Sequence, residues 1–179
     1  MKKIIISAIV GGLILFIWQF ISWNPAGIHK SMQEYAPNQK IILDFLSENM
    51  EEGFYLLPLA EPGEDPQEAA RKSMGKPWAQ IYYHEAMQDN MVSNISRGLI
   101  IDILIVGLLA WLLTKMAEQS FKNALILSLV VGMIGFLSIS YTNSIWFGHR
   151  AIGDLIDTLI AWTLVGSWLG WYMNKTKAA

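Results

Sequence analysis

Four blocks of apolar residues, separated by polar segments of very different length, dominate the pattern along the chain. The first block, residues 4–21, would extend about 27 Å as a helix, since an α-helix rises about 1.5 Å per residue, and this is close to the thickness of a bilayer's hydrocarbon core. The later blocks predict three more spans, at about 97–114, 122–141 and 152–173. The pattern therefore predicts an all-α membrane protein, a four-transmembrane-helix bundle.

The first block could be a cleaved signal peptide or a permanent span. Its apolar run is longer than the roughly 7–15 residues of a signal peptide. It ends at Trp23-Asn24-Pro25 without a cleavage site of small residues. We therefore predict that residues 1–23 form an uncleaved signal anchor, with Lys2 and Lys3 in the cytoplasm.

The segment between the first two spans, residues 24–96, breaks the apolar pattern. It carries 11 carboxylates against 5 lysines and arginines, and it holds all six prolines. We expect a small α/β extracytoplasmic cap domain, inserted between the first and second spans. Helical spacing predicts a helix at 38–52. Aromatic and β-branched runs predict two paired strands, at 54–58 and 78–84. Between the strands, a capping pattern predicts a short helix that Asp65 caps and that ends at Gly75.

Small residues recur at helical spacing in the last two spans. Because membrane helices associate through close packing of small side chains, these positions predict helix contacts. The final span contributes Gly166 and Gly170. The third span contributes Ala124, Ser128, Gly132, Gly135 and Ser138.

Lysines mark one side of the predicted membrane. The two termini and the short turn between the second and third spans together hold six lysines and one glutamate, whereas the cap is acidic. By the positive-inside rule both termini lie in the cytoplasm and residues 24–96 lie outside. We expect a multi-pass protein of the bacterial inner membrane, with residues 97–179 forming the second to fourth spans.

Two arginines depart from this rule, because Arg97 and Arg150 fall at the outer ends of the second and fourth spans. A polar and aromatic stretch, Thr142–Asp157, precedes and opens the fourth span. These features predict a polar junction between the outer ends of the two spans. Its candidate residues are Arg97, Asp102, His149, Arg150, Asp154 and Asp157.

This junction has two interpretations. Asp154 and Asp157 would lie in the first turns of a helix, where the helix dipole favours a carboxylate, and the arginines could form an ion-pair network with the aspartates that holds two helix ends together. Alternatively, ionisable residues near a membrane interior often mark a functional site, and the same residues could bind a ligand head group, an ion or a proton.

Composition narrows the function classes. Charged residues make up only 16 % of the chain, below the roughly 25 % of an average soluble domain. The net charge of −2 provides no basic field for nucleic acid, and the absence of cysteine excludes thiolate metal sites and disulfides. The lipid bilayer is the partner that the composition indicates.

Motifs for catalysis are missing. The three histidines, His29, His84 and His149, show no metal-ligand spacing. Ser73 and Ser144 lack the nucleophile elbow of hydrolases. We predict no metal, no cofactor and no catalytic residue.

Aromatic residues cluster near the predicted membrane boundaries, among them Trp146 and Phe147 at the outer side. Tryptophan is enriched at both interfaces of a bilayer, so these residues predict an interfacial belt. A pocket for a quinone or a lipid would use the same side chains.

The order of parts resembles that of uncharacterised four-span bacterial inner-membrane proteins. The residues that carry this resemblance are Gly53-Phe54-Tyr55 and Pro58, then Pro77-x-Ala79-x-Ile81-Tyr82-Tyr83, and Ile145-Trp146-Phe147 before the last span. The resemblance implies a membrane location and brings no activity with it.

Two functions follow as expectations. The first is a non-enzymatic accessory or scaffolding subunit of a membrane complex, with a membrane protein partner or self-association. The alternative is a protein that binds a lipid, a quinone or another small molecule, as an enzyme or transporter, at the outer polar junction.

Overall fold

The computed structural model describes residues 1–175; Lys177, one of the six lysines counted above, lies outside that range. The chain is mostly helical, with one small sheet. In order, its elements are α1 (Lys2–Trp23), a 3₁₀ turn (Lys30–Met32), α2 (Gln39–Asn49), β1 (Gly53–Leu57), α3 (Pro66–Ser73), β2 (Ala79–Tyr83), α4 (Met91–Leu113), α5 (Phe121–Phe136), a π-helical turn (Leu137–Tyr141), α6 (Thr142–Phe147) and α7 (Ile152–Lys175).

Within residues 1–175, four helical segments are long and apolar enough to cross a membrane, as the sequence predicted: α1, α4, the continuous segment Phe121–Phe147, and α7. The third is longer than expected. Thr142–Phe147, which the sequence placed in a connecting stretch, continues the helix, and the hydroxyls of Thr142 and Ser144 donate to the carbonyls of Leu137 and Tyr141. The helix ends at Gly148, which adopts the left-handed conformation, with φ of 70°.

Helix α1 lies between α4 and α7 and packs against both. Two adjacent glycines make this possible. A Cβ on Gly12 would lie 2.7 Å from the Ile103 Cα of α4, and one on Gly11 would lie 3.2 Å from the Trp168 side chain of α7. The two helices therefore approach α1 more closely than any larger side chain would permit.

Helices α5 and α7 form the second close pair. The predicted small-residue stripe is confirmed for its first part: Gly132 lies against Trp162, and Ser128 against Gly166, where an added Cβ would come within 2.8 Å of the serine side chain. The last two positions are not packed against another helix of this chain in the same way. A Cβ on Gly135 would meet nothing within 4 Å, and Ser138 is exposed.

Each of the four long helices contributes a row of apolar side chains to the core. Val106 of α4, Val165 and Leu169 of α7 and Leu15 of α1 are buried together, and Ala124 of α5 joins them. Helices α4 and α5, although joined by a short turn, make few contacts with each other. One edge of the bundle is therefore open.

Residues Tyr35–Asp89 form a separate compact unit, smaller than the 24–96 expected. Its strands pair antiparallel, as predicted, with Tyr55 opposite Ile81. The Asp65 side chain accepts from the backbone N–H groups of Gln67 and Glu68 and so caps α3, again as predicted.

Candidate functional site

Residues Asn24–Glu34, which we call the strap, fold back after α1. The N–H groups of Ala26 and Ile28 donate to the carbonyls of Ile21 and Ser22 at 2.9 and 3.2 Å. Gly27 follows with φ of 60°, a conformation that costs glycine little because it has no Cβ. After this reversal of the chain, the next residues, including His29, lie against the start of α7.

His29 is the centre of the polar contacts made by the strap. Its side chain is only 3 % exposed, and its ring stacks on Trp23 with the centroids 4.1 Å apart and the planes 8° from parallel. Its Nε2 lies 3.0 Å from Oδ2 of Asp157. On the other edge, Nδ1 lies 3.2 Å from the Met32 sulfur and 3.6 Å from Oδ1 of Asp154.

Asp157 joins three parts of the chain. Its Oδ1 accepts a 2.6 Å hydrogen bond from the indole N–H of Trp18 in α1, while Oδ2 faces His29 in the strap. Because Asp157 itself belongs to α7, this carboxylate connects α1, the strap and α7. We call Trp18, His29, Asp154 and Asp157 the His29 cluster.

Gly153 lets the strap lie directly on the first turn of α7. A Cβ at this position would come within 3.2 Å of the Ile28 carbonyl oxygen and 3.3 Å of His29 Nδ1. Such contacts are tighter than a side chain normally makes, so a larger residue here would displace the strap by a few tenths of an ångström.

Arg150 holds the far end of the strap. Its Nη1 donates to the Ser31 carbonyl at 2.7 Å and lies 3.5 Å from Oε1 of Glu34. The sequence predicted an aspartate as the partner of this arginine, and that pairing is wrong: the strap, which could not be placed from the sequence, provides both of its partners.

Asp102 belongs to a different place. It is 3 % exposed, and its Oδ1 accepts a 3.2 Å hydrogen bond from the Gln19 amide of α1. Its Oδ2 has no hydrogen-bond partner among residues 1–175. Because Gln19 adjoins Trp18, neighbouring residues of α1 hold the carboxylates of α4 and α7.

The single junction expected between the second and fourth spans is therefore two polar sites, both built against α1. The expected partner of Asp102, Arg97, is exposed and forms no ion pair within the described part of the chain. His149 is half-buried, with no hydrogen bond to any described residue. Trp146 and Phe147, both on α6, are exposed.

Sequence reasoning missed His29. The histidines show no metal-ligand spacing. The α7 residues that face the two edges of the His29 ring, Asp154 and Asp157, follow it in the sequence by more than a hundred positions. The one local signal is the fold-back, since a glycine after Trp23-Asn24-Pro25 is compatible with a reversal of the chain.

The His29 cluster is not arranged for a metal ion. Its two carboxylates lie on opposite edges of the imidazole, so the side chains do not converge on a common point. Throughout residues 1–175, no group of three or more histidine, aspartate or glutamate side chains could hold a metal. What the geometry does provide is a buried imidazole with hydrogen-bond acceptors on both edges.

A shallow recess lies at the other end of the helices, where the turn between α4 and α5 meets the end of α7. Its walls carry no ionisable side chain among the described residues, so it offers no charged group to a ligand. They are formed by Leu113, Met116, Gln119, Ser120, Asn123, Ala124, Met173 and Asn174.

Comparison with known proteins adds no relative. The chain matches no protein-family model, and no curated protein or solved structure is significantly similar to it.

Proposed function

We propose that this protein is an integral, multi-pass protein of the bacterial inner membrane that serves as a non-enzymatic accessory or scaffolding subunit of a membrane complex. In this proposal all four long helices cross the bilayer as a bundle. Both termini face the cytoplasm, and the Tyr35–Asp89 unit lies outside.

The open edge between α4 and α5 is the observation that carries the proposal. Close packing of small residues drives helix association in a membrane. Gly135 has space for a Cβ with nothing within 4 Å, and Ser138 is exposed three residues later. A helix from a partner, or from a second copy, could approach α5 closely at this surface.

Charge supports the proposed orientation. The Lys3 ammonium donates to the Met173 carbonyl at 3.2 Å, so the start of α1 and the end of α7 meet at one end of the bundle. Lys115 and Lys175 lie 5.4 and 5.0 Å from the ring centroids of Trp111 and Trp171. Lysines near interfacial tryptophans are typical of the cytoplasmic boundary.

The outer unit offers a second surface to a partner. Phe54 and Tyr82 stack across the two strands with their centroids 4.5 Å apart, yet they are 53 % and 72 % exposed. In the same unit, His84 lies 3.2 Å from Glu52. Exposed aromatic groups of this kind are enriched at protein interfaces.

Native mass spectrometry of the protein, purified from its own membrane in a mild detergent, tests the proposal. We expect a stable complex with another membrane protein or with a second copy. Gly135→Trp should reduce that complex by roughly tenfold or more, since overpacking costs about 1–3 kcal/mol. Ile126→Trp, on the opposite side of α5 and already exposed, is the matched control. A monomer without a protein partner would contradict the proposal.

The alternative, binding of a lipid, a quinone or another small molecule, is favoured by one observation: a carboxylate oxygen of Asp102 is buried without a partner among the described residues. Polar groups buried in this way normally bond to something. The same spectra separate the two functions, because a bound small molecule adds a small mass that Asp102→Asn would remove, whereas a protein subunit adds a large mass.

A further inference from the structure

Both ring nitrogens of His29 face groups that accept hydrogen bonds and do not donate them. Nε2 faces the Asp157 carboxylate at 3.0 Å, and Nδ1 faces the Met32 thioether at 3.2 Å and the Asp154 carboxylate at 3.6 Å. A neutral imidazole carries one N–H, whereas the imidazolium ion carries two. Only the protonated ring can donate on both edges.

The charges around the ring also match the protonated form. Helix α7 contributes Asp154 and Asp157, and α1 contributes Trp18, which has no charge. From the strap itself, Lys30 is exposed, and Glu34 pairs with Arg150. Among the described residues, therefore, the charged groups in contact with the imidazole are two carboxylates.

We propose that the strap is a clasp that responds to pH, closed when His29 carries two protons and loosened when it carries one. In the neutral form, Nε2–H continues to donate to Asp157. The lone pair on Nδ1 then faces a sulfur and a carboxylate, and nothing bonds to it. Unpartnered buried polar groups are costly, so the strap separates from the first turn of α7.

Loosening the clasp changes the attachment of the outer unit. The strap ends at Glu34, and the Tyr35–Asp89 unit begins at the next residue. When the clasp is closed, the chain leaves for that unit from a point fixed to the start of α7. When the clasp is open, the whole strap, from the end of α1 to Glu34, becomes a free linker to that unit. Acidity on the side of the strap thus sets the freedom of the outer unit.

The chain has no cysteine, so a single spin label can report on the strap. The label is placed at Ser31→Cys, an exposed position whose carbonyl, rather than its side chain, binds Arg150. The protein is reconstituted in nanodiscs, and spectra are recorded from about pH 5 to pH 8, the range in which histidine changes charge. We expect the ratio of mobile to immobile label to rise roughly tenfold, as loss of one charge-assisted hydrogen bond implies.

Two variants show whether His29 is responsible. His29→Gln, which does not titrate, should abolish the change. Asp154→Asn should shrink it, while the bonds of Asp157 to Trp18 and His29 remain and hold the fold. A label at Glu118→Cys, in the turn between α4 and α5, is the control for direct effects of pH on the probe. Spectra that do not change with pH, or that change equally in His29→Gln, would overturn the proposal.

Discussion

The two oxygens of the Asp157 carboxylate have separate tasks. One accepts from the Trp18 indole at 2.6 Å, and the other faces His29 at 3.0 Å. Asp154, one turn earlier, lies 3.6 Å from the same imidazole and has no other ion pair within the described part of the chain. The two aspartates, which look equivalent in the sequence, therefore differ in how much structure depends on them.

We expect Asp157→Asn to destabilise the protein by about 1–3 kcal/mol, the range for leaving buried donors without a charged acceptor. Asp154→Asn should cost clearly less, because its contact is longer. Unfolding in detergent, followed by tryptophan fluorescence, measures both. Equal losses in the two variants would mean that the bond to Trp18 adds nothing.

At the level of single residues, the sequence predicted only part of the polar sites. It identified Asp102, Arg150, Asp154 and Asp157 as residues that need partners, because ionisable groups near a membrane boundary are unusual. It could not name the partners, since Trp18, Gln19 and the strap are distant along the chain. Helical spacing relates residues within one helix and says nothing about which helices are neighbours.

Among the elements, α1 depends most on close packing. Its Gly12 has the Ile103 backbone where a Cβ would be, at 2.7 Å, and backbone cannot move aside as a flexible side chain can. The sequence placed this glycine within a span without assigning it a contact. The α5 stripe was easier to predict, because five small residues at helical spacing form a stronger signal than one pair.

Gly12→Ala should lower stability by about 1–3 kcal/mol, the usual cost of overpacking. Gly135→Ala is the matched control, because its Cβ meets no atom within 4 Å and alanine favours a helix over glycine by about 1 kcal/mol. We therefore expect Gly135→Ala to be neutral or stabilising. Thermal unfolding of both variants in the same detergent provides the comparison, and a stable Gly12→Ala would contradict the packing of α1 on α4.

For the whole molecule, apolar length and composition predicted four long helices and a small sheet, and both are present. The division of the polar segment was less accurate. Residues 24–34 have the composition of a loop, yet they fold onto the helical unit, because contacts with α7 determine their place. Local composition does not carry that information.

The proposed topology makes a direct prediction. A cysteine at Ser47, in the exposed face of α2, should react with a membrane-impermeant maleimide in intact spheroplasts, and one at Glu118 should react only after lysis. The reason is that the lysine-rich turn beside Glu118 belongs in the cytoplasm. Labelling of both sites before lysis, or of Glu118 alone, would refute this orientation.

The link between His29 and Asp157 has a consequence for biosynthesis. The ribosome completes α1, the strap, the outer unit and two further helices before it makes the residues that His29, Trp18 and Gly11 contact in α7. Until α7 is made, the His29 imidazole and the Trp18 indole N–H lack their acceptors, and one face of α1 lacks its neighbour. Helix α7, which is made after α1, therefore completes the packing of α1, and a chain that stops before α7 leaves these polar groups unpaired.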